Sequence, residues 1–127
     1  MSKDLKTILY VEDDEDIRTI ATMALEALGG FLVIGCSSGA QALERAPVCA
    51  ADLILLDVMM PGMDGPETLR ELRRVPETSN TPVIFMTAKV QSSEIQKYKD
   101  MGAVEVIAKP FDPMTLSDQI KSVWSGL

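Results

Sequence analysis

Short apolar runs alternate with longer segments of helical periodicity along the whole chain. Each run is about five residues long, and the longer segments repeat apolar residues at a spacing of three and four. Strands that alternate with helices in this way are typical of βαβ units and a parallel sheet. The pattern predicts five strands, at residues 7–11, 31–36, 52–56, 82–86 and 104–108.

Capping signals indicate where the first helix ends and where the second and third helices begin. Ser38 with Gln41, and Asp64 with Glu67, match the capping box that opens a helix. The first helix ends before two glycines at residues 29 and 30. Its predicted buried stripe comprises Ile17, Ile20, Ala21, Ala24, Leu25 and Leu28.

The last two helices carry weaker signals. Ser93 with Gln96 forms a less complete capping pair for the fourth helix, which Gly102 closes as a left-handed cap. Asp112 as N-cap and Pro113 at the first helical position open the fifth helix. The predicted apolar stripes are Ile95, Tyr98 and Met101, and then Leu116, Ile120, Val123 and Trp124.

These elements predict an α/β fold with a doubly wound, five-stranded parallel sheet in the strand order 2-1-3-4-5. Strand two then lies at one edge, and strands one, three, four and five are contiguous. A length of 127 residues suits one domain with one core, so we expect residues 1–127 to form a single domain. Ligands bind such sheets beyond the carboxyl ends of the strands.

Composition excludes several classes of function. A net charge of -7 argues against nucleic acid as a partner, because phosphates would be repelled. No apolar stretch is long enough for a membrane span and the start lacks a signal peptide's apolar centre, so we expect a cytoplasmic protein without membrane contact. The chain has no histidine, which excludes imidazole base catalysis, imidazole metal ligands and a phosphohistidine of its own.

Four of the predicted strands end at reactive polar residues. Glu12 and Asp13 follow the first strand, Asp57 the third, Thr87 the fourth and Lys109 the fifth. Three ionised carboxylates about 4 Å apart repel by about 4 kcal/mol per pair at an effective dielectric near 20, so this edge requires protons or a cation. Oxygen ligands without Cys or His favour Mg²⁺, or Mn²⁺, over Zn²⁺.

The same edge suits phosphoryl transfer. Mg²⁺ is usually held by one or two carboxylates and completed by waters and a phosphate oxygen. Lys109 supplies a complementary cation, Thr87 supplies a hydroxyl donor, and Asp57 is the candidate nucleophile. The acidic pair after the first strand then becomes a set of metal ligands, together with the backbone carbonyl of Met59.

Each of these residues also has an ordinary structural explanation. Acidic residues favour the start of a helix, and Glu12 and Asp13 precede one. Asp57 suits the cap of the turn before Pro61. Thr87 suits any strand end, and Lys109 suits any surface turn before a proline. Their coincidence at four neighbouring strand ends, with complementary charges, favours a site.

The motifs at these strand ends resemble those of receiver domains in bacterial two-component response regulators, in the stand-alone form of the chemotaxis response regulator. The resemblance covers the whole chain and implies a flavodoxin-like (βα)5 fold. The matching motifs are Glu12-Asp13, Asp57 with Met60-Pro61 and Met63-Asp64-Gly65, Thr87-Ala88, and Lys109-Pro110-Phe111.

The resemblance also implies roles for the site residues. Asp57 is the phosphoacceptor, and Asp13 and Asp57 bind Mg²⁺ directly, helped by Glu12 and the carbonyl of Met59. The hydroxyl and the ammonium at the last two strand ends contact the phosphoryl group, and the peptide bond before Pro110 is cis. Such a domain catalyses its own phosphorylation and dephosphorylation without being a conventional turnover enzyme.

The partners implied by the resemblance are proteins. The phosphodonor is a phosphohistidine on a sensor histidine kinase or a histidine phosphotransfer protein, which agrees with the missing histidine. The output is the binding of a downstream protein to a face formed by helix four, strand five and helix five.

Val106 departs from the family pattern, which usually has an aromatic ring three residues before the lysine. That ring turns inward when the threonine moves toward phosphate, and a branched valine cannot make this movement. We therefore expect the output signal to use backbone shifts of the loop after Thr87 and of the next helix. Met59 and Lys89 occupy positions that, by the same resemblance, tune phosphoryl lifetime in the family, and we expect the Lys89 side chain to lie in solvent.

Two other functions stay open, and a third is disfavoured. A constitutive protein-interaction module would keep the site without switching, and a phosphorelay shuttle would pass the phosphoryl group on. A flavodoxin-like cofactor carrier is disfavoured, because the loop after the first strand is acidic where a phosphate cradle offers amides and hydroxyls.

Overall fold

A computed structural model describes residues 4–127 and contains a five-stranded parallel sheet in the order β2-β1-β3-β4-β5. Both the sheet and its strand order confirm the prediction. The strands are β1 (Thr7–Val11), β2 (Leu32–Cys36), β3 (Leu53–Asp57), β4 (Val83–Thr87) and β5 (Glu105–Ala108). The helices are α1 (Glu15–Ala27), α2 (Gly39–Arg45), α3 (Gly65–Leu72), α4 (Ser92–Asp100) and α5 (Leu116–Ser125), with a 3-10 turn at Pro76–Thr78.

The helices cover both faces of the sheet, which explains why the central strands are apolar throughout. All five residues of β3 and all five of β4 are buried. One core layer includes Leu9, Val11, Ile54, Leu56, Phe85, Leu69, Leu72 and Tyr98. The other includes Ile8, Tyr10, Leu55, Ile84, Met86, Ala21, Leu25, Leu116 and Ile120.

Helices α1, α2 and α3 each begin at a side-chain cap. Asp14, Ser38 and Asp64 accept a hydrogen bond from the amide three residues later, at 3.0, 3.1 and 2.9 Å respectively. Each cap satisfies an amide that has no partner within its own helix. The predicted starts of the second and third helices are therefore confirmed.

The predicted start of α4 is wrong. This helix begins at Ser92 after Gln91, which makes no side-chain capping bond, so Ser93 already lies inside the first turn. Gln96 instead donates to the carboxylate of the residue four positions later, along the exposed helix surface. The predicted end is confirmed, because Gly102 follows the helix with φ of 114°.

The predicted start of α5 is also wrong, because the helix begins at Leu116. Asp112 and Pro113 belong to a turn that leads into it, and the Asp112 carbonyl accepts from the amide of Leu116 at 3.0 Å. The Asp112 carboxylate accepts from the amide of Met114 at 2.9 Å, only two residues later. Its capping capacity is thus used within the turn, and the helix begins after Thr115 without a side-chain cap.

The buried stripe of α1 is narrower than the periodicity predicts. Ala21, Ala24 and Leu25 are buried, but Ile20 and Leu28 are 50% and 51% exposed. Periodicity identifies the side of a helix that faces the sheet, but not how far the contact extends around it. Met101, after α4, is likewise exposed. Within residues 4–127, no helix has the length and apolar character that a membrane span requires.

Candidate functional site

The strand register brings the predicted site residues to one edge of the sheet. Asp57 and Thr87 are the last residues of β3 and β4, while Glu12 and Lys109 directly follow β1 and β5. The amide of Lys109 donates to the carbonyl of Thr87 at 2.9 Å, which continues the ladder beyond the last paired residues. Glu12, Asp57 and Thr87 are each at most 2% exposed. Parallel pairing therefore explains the clustering that the sequence predicts.

Three carboxylates converge at this edge. Glu12, Asp13 and Asp57 each offer an oxygen, and these oxygens all lie within 4.8 Å of one another. Glu12 and Asp57 are buried, whereas Asp13 is exposed. Carboxylates with no sulfur or imidazole among them are the donor set that Mg²⁺ prefers, so the residues present fit that ion. Met59 lies in the loop beyond Asp57 with an exposed side chain, and the role of its carbonyl remains a prediction.

Lys109 links two of these carboxylates. Its ammonium donates to Glu12 Oε1 at 2.9 Å and to Asp57 Oδ1 at 3.2 Å. The Lys109 side chain is 19% exposed, so both contacts lie largely out of water. The ammonium therefore neutralises part of the negative charge that would otherwise be buried here.

Burial and charge shift the pKa values of this pair. Burial raises the pKa of the Asp57 carboxyl to about 7, the charge of Glu12 adds to the rise, and Lys109 opposes it. Burial acts to lower the pKa of Lys109, but its hydrogen bonds and the charges of Asp57 and Glu12 outweigh that effect and raise it. Asp57 thus holds a proton more tightly than an ordinary aspartate does. A bound cation would favour the ionised carboxylate and lower the Asp57 pKa again.

Backbone contacts fix Glu12, and one of them involves a residue that sequence reasoning missed. The Arg18 guanidinium, on α1, donates to the carbonyl of Glu12 at 2.7 Å. The amide of Asp14 donates to the Glu12 carboxylate at 3.2 Å. Arg18 is the first basic residue after a strongly acidic segment, and this is the only signal in the sequence that points to it.

Gly65 holds the start of α3 against the end of β3, and sequence reasoning assigned it no such role. A Cβ at this position would lie 2.6 Å from the Asp57 carbonyl oxygen and 2.8 Å from Val58 Cα. The amide of Gly65 donates to the carbonyl of Val58 at 2.9 Å. The helix and the strand approach here more closely than any side chain allows, and this contact fixes the backbone that carries Asp57.

Thr87 and the peptide after Lys109 complete the site. The Thr87 hydroxyl accepts from the amide of Lys89 at 3.1 Å, which orders the start of the loop after β4. Lys89 itself is exposed, as predicted. The Lys109-Pro110 peptide bond is cis, as the resemblance implies.

Comparison with known families agrees with this geometry. A family model described as the response regulator receiver domain matches residues 8–121. The chain belongs to this family. Receiver domains are signal-transduction modules that take a phosphoryl group from histidine kinases and bind Mg²⁺ at an acidic pocket, and this chain has a cluster of acidic groups at the edge described above.

Curated relatives of this receiver domain are larger regulators. It is 37% identical over 116 residues to the transcriptional regulatory protein CseB of Streptomyces coelicolor. It is 36% identical over 118 residues to the alkaline phosphatase synthesis transcriptional regulatory protein PhoP of Bacillus subtilis. These alignments cover 91% and 93% of this chain but 48% of each relative. The chain therefore spans about half the length of the curated relatives it matches.

Solved structures confirm the flavodoxin-like fold of this receiver domain. The chemotaxis protein CheY4 of Vibrio cholerae superposes with a TM-score of 0.86 at 30% identity, covering 94% of this chain and 99% of that one. The receiver domain of the Francisella response regulator 1452 gives 0.84 at 26% identity, with coverage of 95% and 98%. The likeness thus extends over nearly the whole receiver domain in both.

Proposed function

We propose that this chain, acting as one receiver domain over residues 1–127, accepts a phosphoryl group on Asp57 and then binds a downstream protein through the α4, β5 and α5 face. The donor is a phosphohistidine on a sensor histidine kinase or a histidine phosphotransfer protein. The observation that carries the proposal is the buried Asp57 carboxylate with an ammonium at 3.2 Å and two further carboxylates within reach of one cation.

The transfer itself is a displacement at phosphorus. An Asp57 carboxylate oxygen forms the new O–P bond while the N–P bond of the phosphohistidine breaks, and the electron pair of that bond leaves with the imidazole. Lys109 lies where it can neutralise charge on the transferring oxygens. Glu12, Asp13 and Asp57, with the carbonyl of Met59, would hold Mg²⁺, which supplies positive charge to the phosphoryl oxygens when bound.

Thr87 has a hydrogen-bond donor available for the product. Its oxygen accepts from the Lys89 amide, and its O–H can turn toward a phosphoryl oxygen on the neighbouring strand. Asp57 pairs with Met86 in the β3–β4 ladder, so Thr87 is one residue beyond its partner. The hydroxyl is therefore suited to sense a group attached to Asp57.

Labelling with a small phosphodonor tests this proposal. The protein is incubated with Mg²⁺ and acetyl phosphate, and its intact mass is compared with that of Asp57→Asn and of Asp16→Asn. Asp16 is an exposed acidic residue in the first turn of α1 and serves as a matched control. We expect one phosphoryl group on the native protein and on the control, none on Asp57→Asn, and none after chelation of the metal. Equal labelling of all three proteins would overturn the assignment.

Val106 favours a second candidate, a constitutive interaction module that keeps the site without switching. This valine stands where the resemblance implies a mobile ring, and it is half-buried against the core beside β4. Amide spectra recorded with and without beryllofluoride, a phosphoryl mimic, separate the two candidates. Unchanged spectra over α4 and β5, with partner binding that ignores the mimic, would support the constitutive module.

A further inference from the structure

The aromatic ring absent from β5 has a counterpart on α4. Tyr98 is 6% exposed and packs on Phe85 of β4, with ring centroids 5.3 Å apart and an interplanar angle of 67°. Phe85 pairs with Val106 in the β4–β5 ladder, and Val106 packs against the same core cluster. Tyr98 of α4 thus places a ring in the core layer to which β5 contributes only Val106.

The ring of Tyr98 extends toward the phosphoryl-sensing threonine. Phe85 and Thr87 are two residues apart on β4, so their side chains project from the same face of the strand. The Thr87 hydroxyl lies close enough to the Tyr98 phenol to act on its pKa. Burial raises the pKa of that phenol, the charge of Glu94 adds to the rise, and the Thr87 hydroxyl opposes it.

Tyr98 is also the main attachment of α4 to the core. The structure describes every residue of α4, and among them Tyr98 alone is buried. The helix begins without a side-chain cap, after exposed residues 88–91. A change in the contacts of Tyr98 therefore acts on the one buried side chain of this helix.

We propose that Tyr98 is a positioning residue that couples the Thr87 hydroxyl to helix α4. In the proposed coupling, the Thr87 hydroxyl interacts with the Tyr98 phenol while Asp57 carries no phosphoryl group. When a phosphoryl group on Asp57 draws the Thr87 hydroxyl away, Tyr98 loses that partner and α4 loosens or moves. This inference rests on the proposed function for its trigger, whereas the contact between Tyr98 and Thr87 belongs to the unphosphorylated protein.

Fluorine NMR tests the contact directly. The chain has two tyrosines, so 3-fluorotyrosine labelling gives two resonances, which Tyr98→Phe and Tyr10→Phe assign. Tyr10 belongs to the core layer on the other side of the sheet and serves as the internal control. Without any phosphoryl mimic, we expect Thr87→Val to shift the Tyr98 resonance and Thr87→Ser to leave it near its native position. An unchanged Tyr98 resonance in Thr87→Val overturns the inference.

Hydrogen exchange tests the coupling to α4. In the native protein with Mg²⁺, beryllofluoride should shift the Tyr98 resonance toward its position in Thr87→Val and raise α4 amide exchange several-fold. Tyr98→Phe keeps the ring and removes the hydroxyl, so α4 should exchange faster before the mimic is added and change less than twofold afterwards. Tyr10→Phe should show the native response, and a native response in Tyr98→Phe overturns the inference.

The two experiments keep failure of the proposed function separate from failure of this inference. Absence of phosphoryl labelling on the native protein contradicts the role of Asp57, and the Thr87→Val comparison still decides the contact, because it needs no phosphoryl group. Normal labelling with an unresponsive Tyr98 resonance supports Asp57 and overturns the coupling.

Discussion

Helices α1 to α3 and helices α4 to α5 differ in how they begin. The first three start at side-chain caps, and the last two have none. The capped group adjoins the acidic residues, because Asp13 precedes α1 and Asp57 precedes α3 through a short loop. Thr87 and Lys109 lead instead into the uncapped helices. The acidic residues that would hold Mg²⁺ thus form a fixed half of the site, because capped helices follow them. Thr87 and Lys109, which would contact the phosphoryl group, form a freer half, because the helices after them start without a side-chain cap.

Burial sets α4 apart from the other helices. Of the eight residues of α3, four are buried, whereas α4 buries Tyr98 alone among its nine. Elements with few buried contacts open at lower free energy than the rest of a fold. We therefore expect α4 to respond first to a change at the site.

The largest effect is expected from removing the Lys109 ammonium. Lys109→Met leaves the buried Glu12 and Asp57 carboxylates without their ammonium, so the free energy of unfolding should fall by about 3 to 5 kcal/mol at neutral pH without Mg²⁺. Urea denaturation measures this. Lys99→Met is the matched control, because Lys99 pairs with Glu105 at 3.4 Å in an exposed position, where such pairs contribute about 0 to 1 kcal/mol. Equal losses in the two variants would contradict a special role for the buried cation.

A pH dependence of nearly the same size should arise from Asp57. Its folded-state pKa is raised to about 7, so between about pH 4 and 7 the folded protein binds a proton that the unfolded chain releases. The free energy of unfolding of the metal-free protein should therefore fall as pH rises through this window, by on the order of 2 to 4 kcal/mol relative to Asp57→Asn. Urea titrations of both proteins from pH 4 to 8 measure the difference. A constant difference across that range would show that Asp57 titrates normally.

Removing a cap from the fixed half should have a smaller effect. Asp64→Ala deletes the acceptor for the Glu67 amide at 2.9 Å and should lower the free energy of unfolding by about 0.5 to 2 kcal/mol. Thr115→Ala, at the uncapped start of α5, should change it by less than about 0.5 kcal/mol. Thermal and urea unfolding of both variants give the values. A larger loss at Thr115 than at Asp64 would remove the contrast between the two groups of helices.

Adding a cap to the freer half should have the smallest effect on stability. Gln91 already has the extended backbone of an N-cap, with φ of -68° and ψ of 153°. Gln91→Asp should raise the free energy of unfolding by about 0.5 to 1 kcal/mol and slow amide exchange in the first turn of α4 several-fold. The same change within α5, Gln119→Asp, should give no such protection. Unchanged exchange in α4 would mean that capping does not limit its mobility.

The sequence predicted the sheet and the site more fully than the last two helices. Strand positions and order follow from buried apolar runs, and the site follows because parallel strands place their carboxyl ends at one edge. Local capping chemistry predicted the starts of α2 and α3. It did not predict α5, because Asp112 bonds within a turn of its own. Competing local hydrogen bonds of this kind cannot be ranked from spacing alone.

The contacts that sequence reasoning missed are tertiary. Arg18 reaches the Glu12 carbonyl because α1 packs on the sheet beside β2. Tyr98 lies near Thr87 because α4 packs beside β5 and the Tyr98 ring rests on Phe85 of β4. Val106 indicated that a ring was missing from β5. Periodicity placed Tyr98 on the buried stripe of its helix, which is confirmed, but not beside the threonine, because no pattern in the chain encodes the distance between a helix and a strand.

Gly65 also limits how this domain can evolve. Because a methyl group there would overlap the backbone at Asp57 and Val58, an alanine is acceptable only if α3 is displaced as well. The end of β3 and the start of α3 must therefore be inherited as a unit, since a change in one needs a compensating change in the other. The exposed side chains between them, such as those of Met59 and Pro61, are under no such steric constraint and can diversify while this junction is kept.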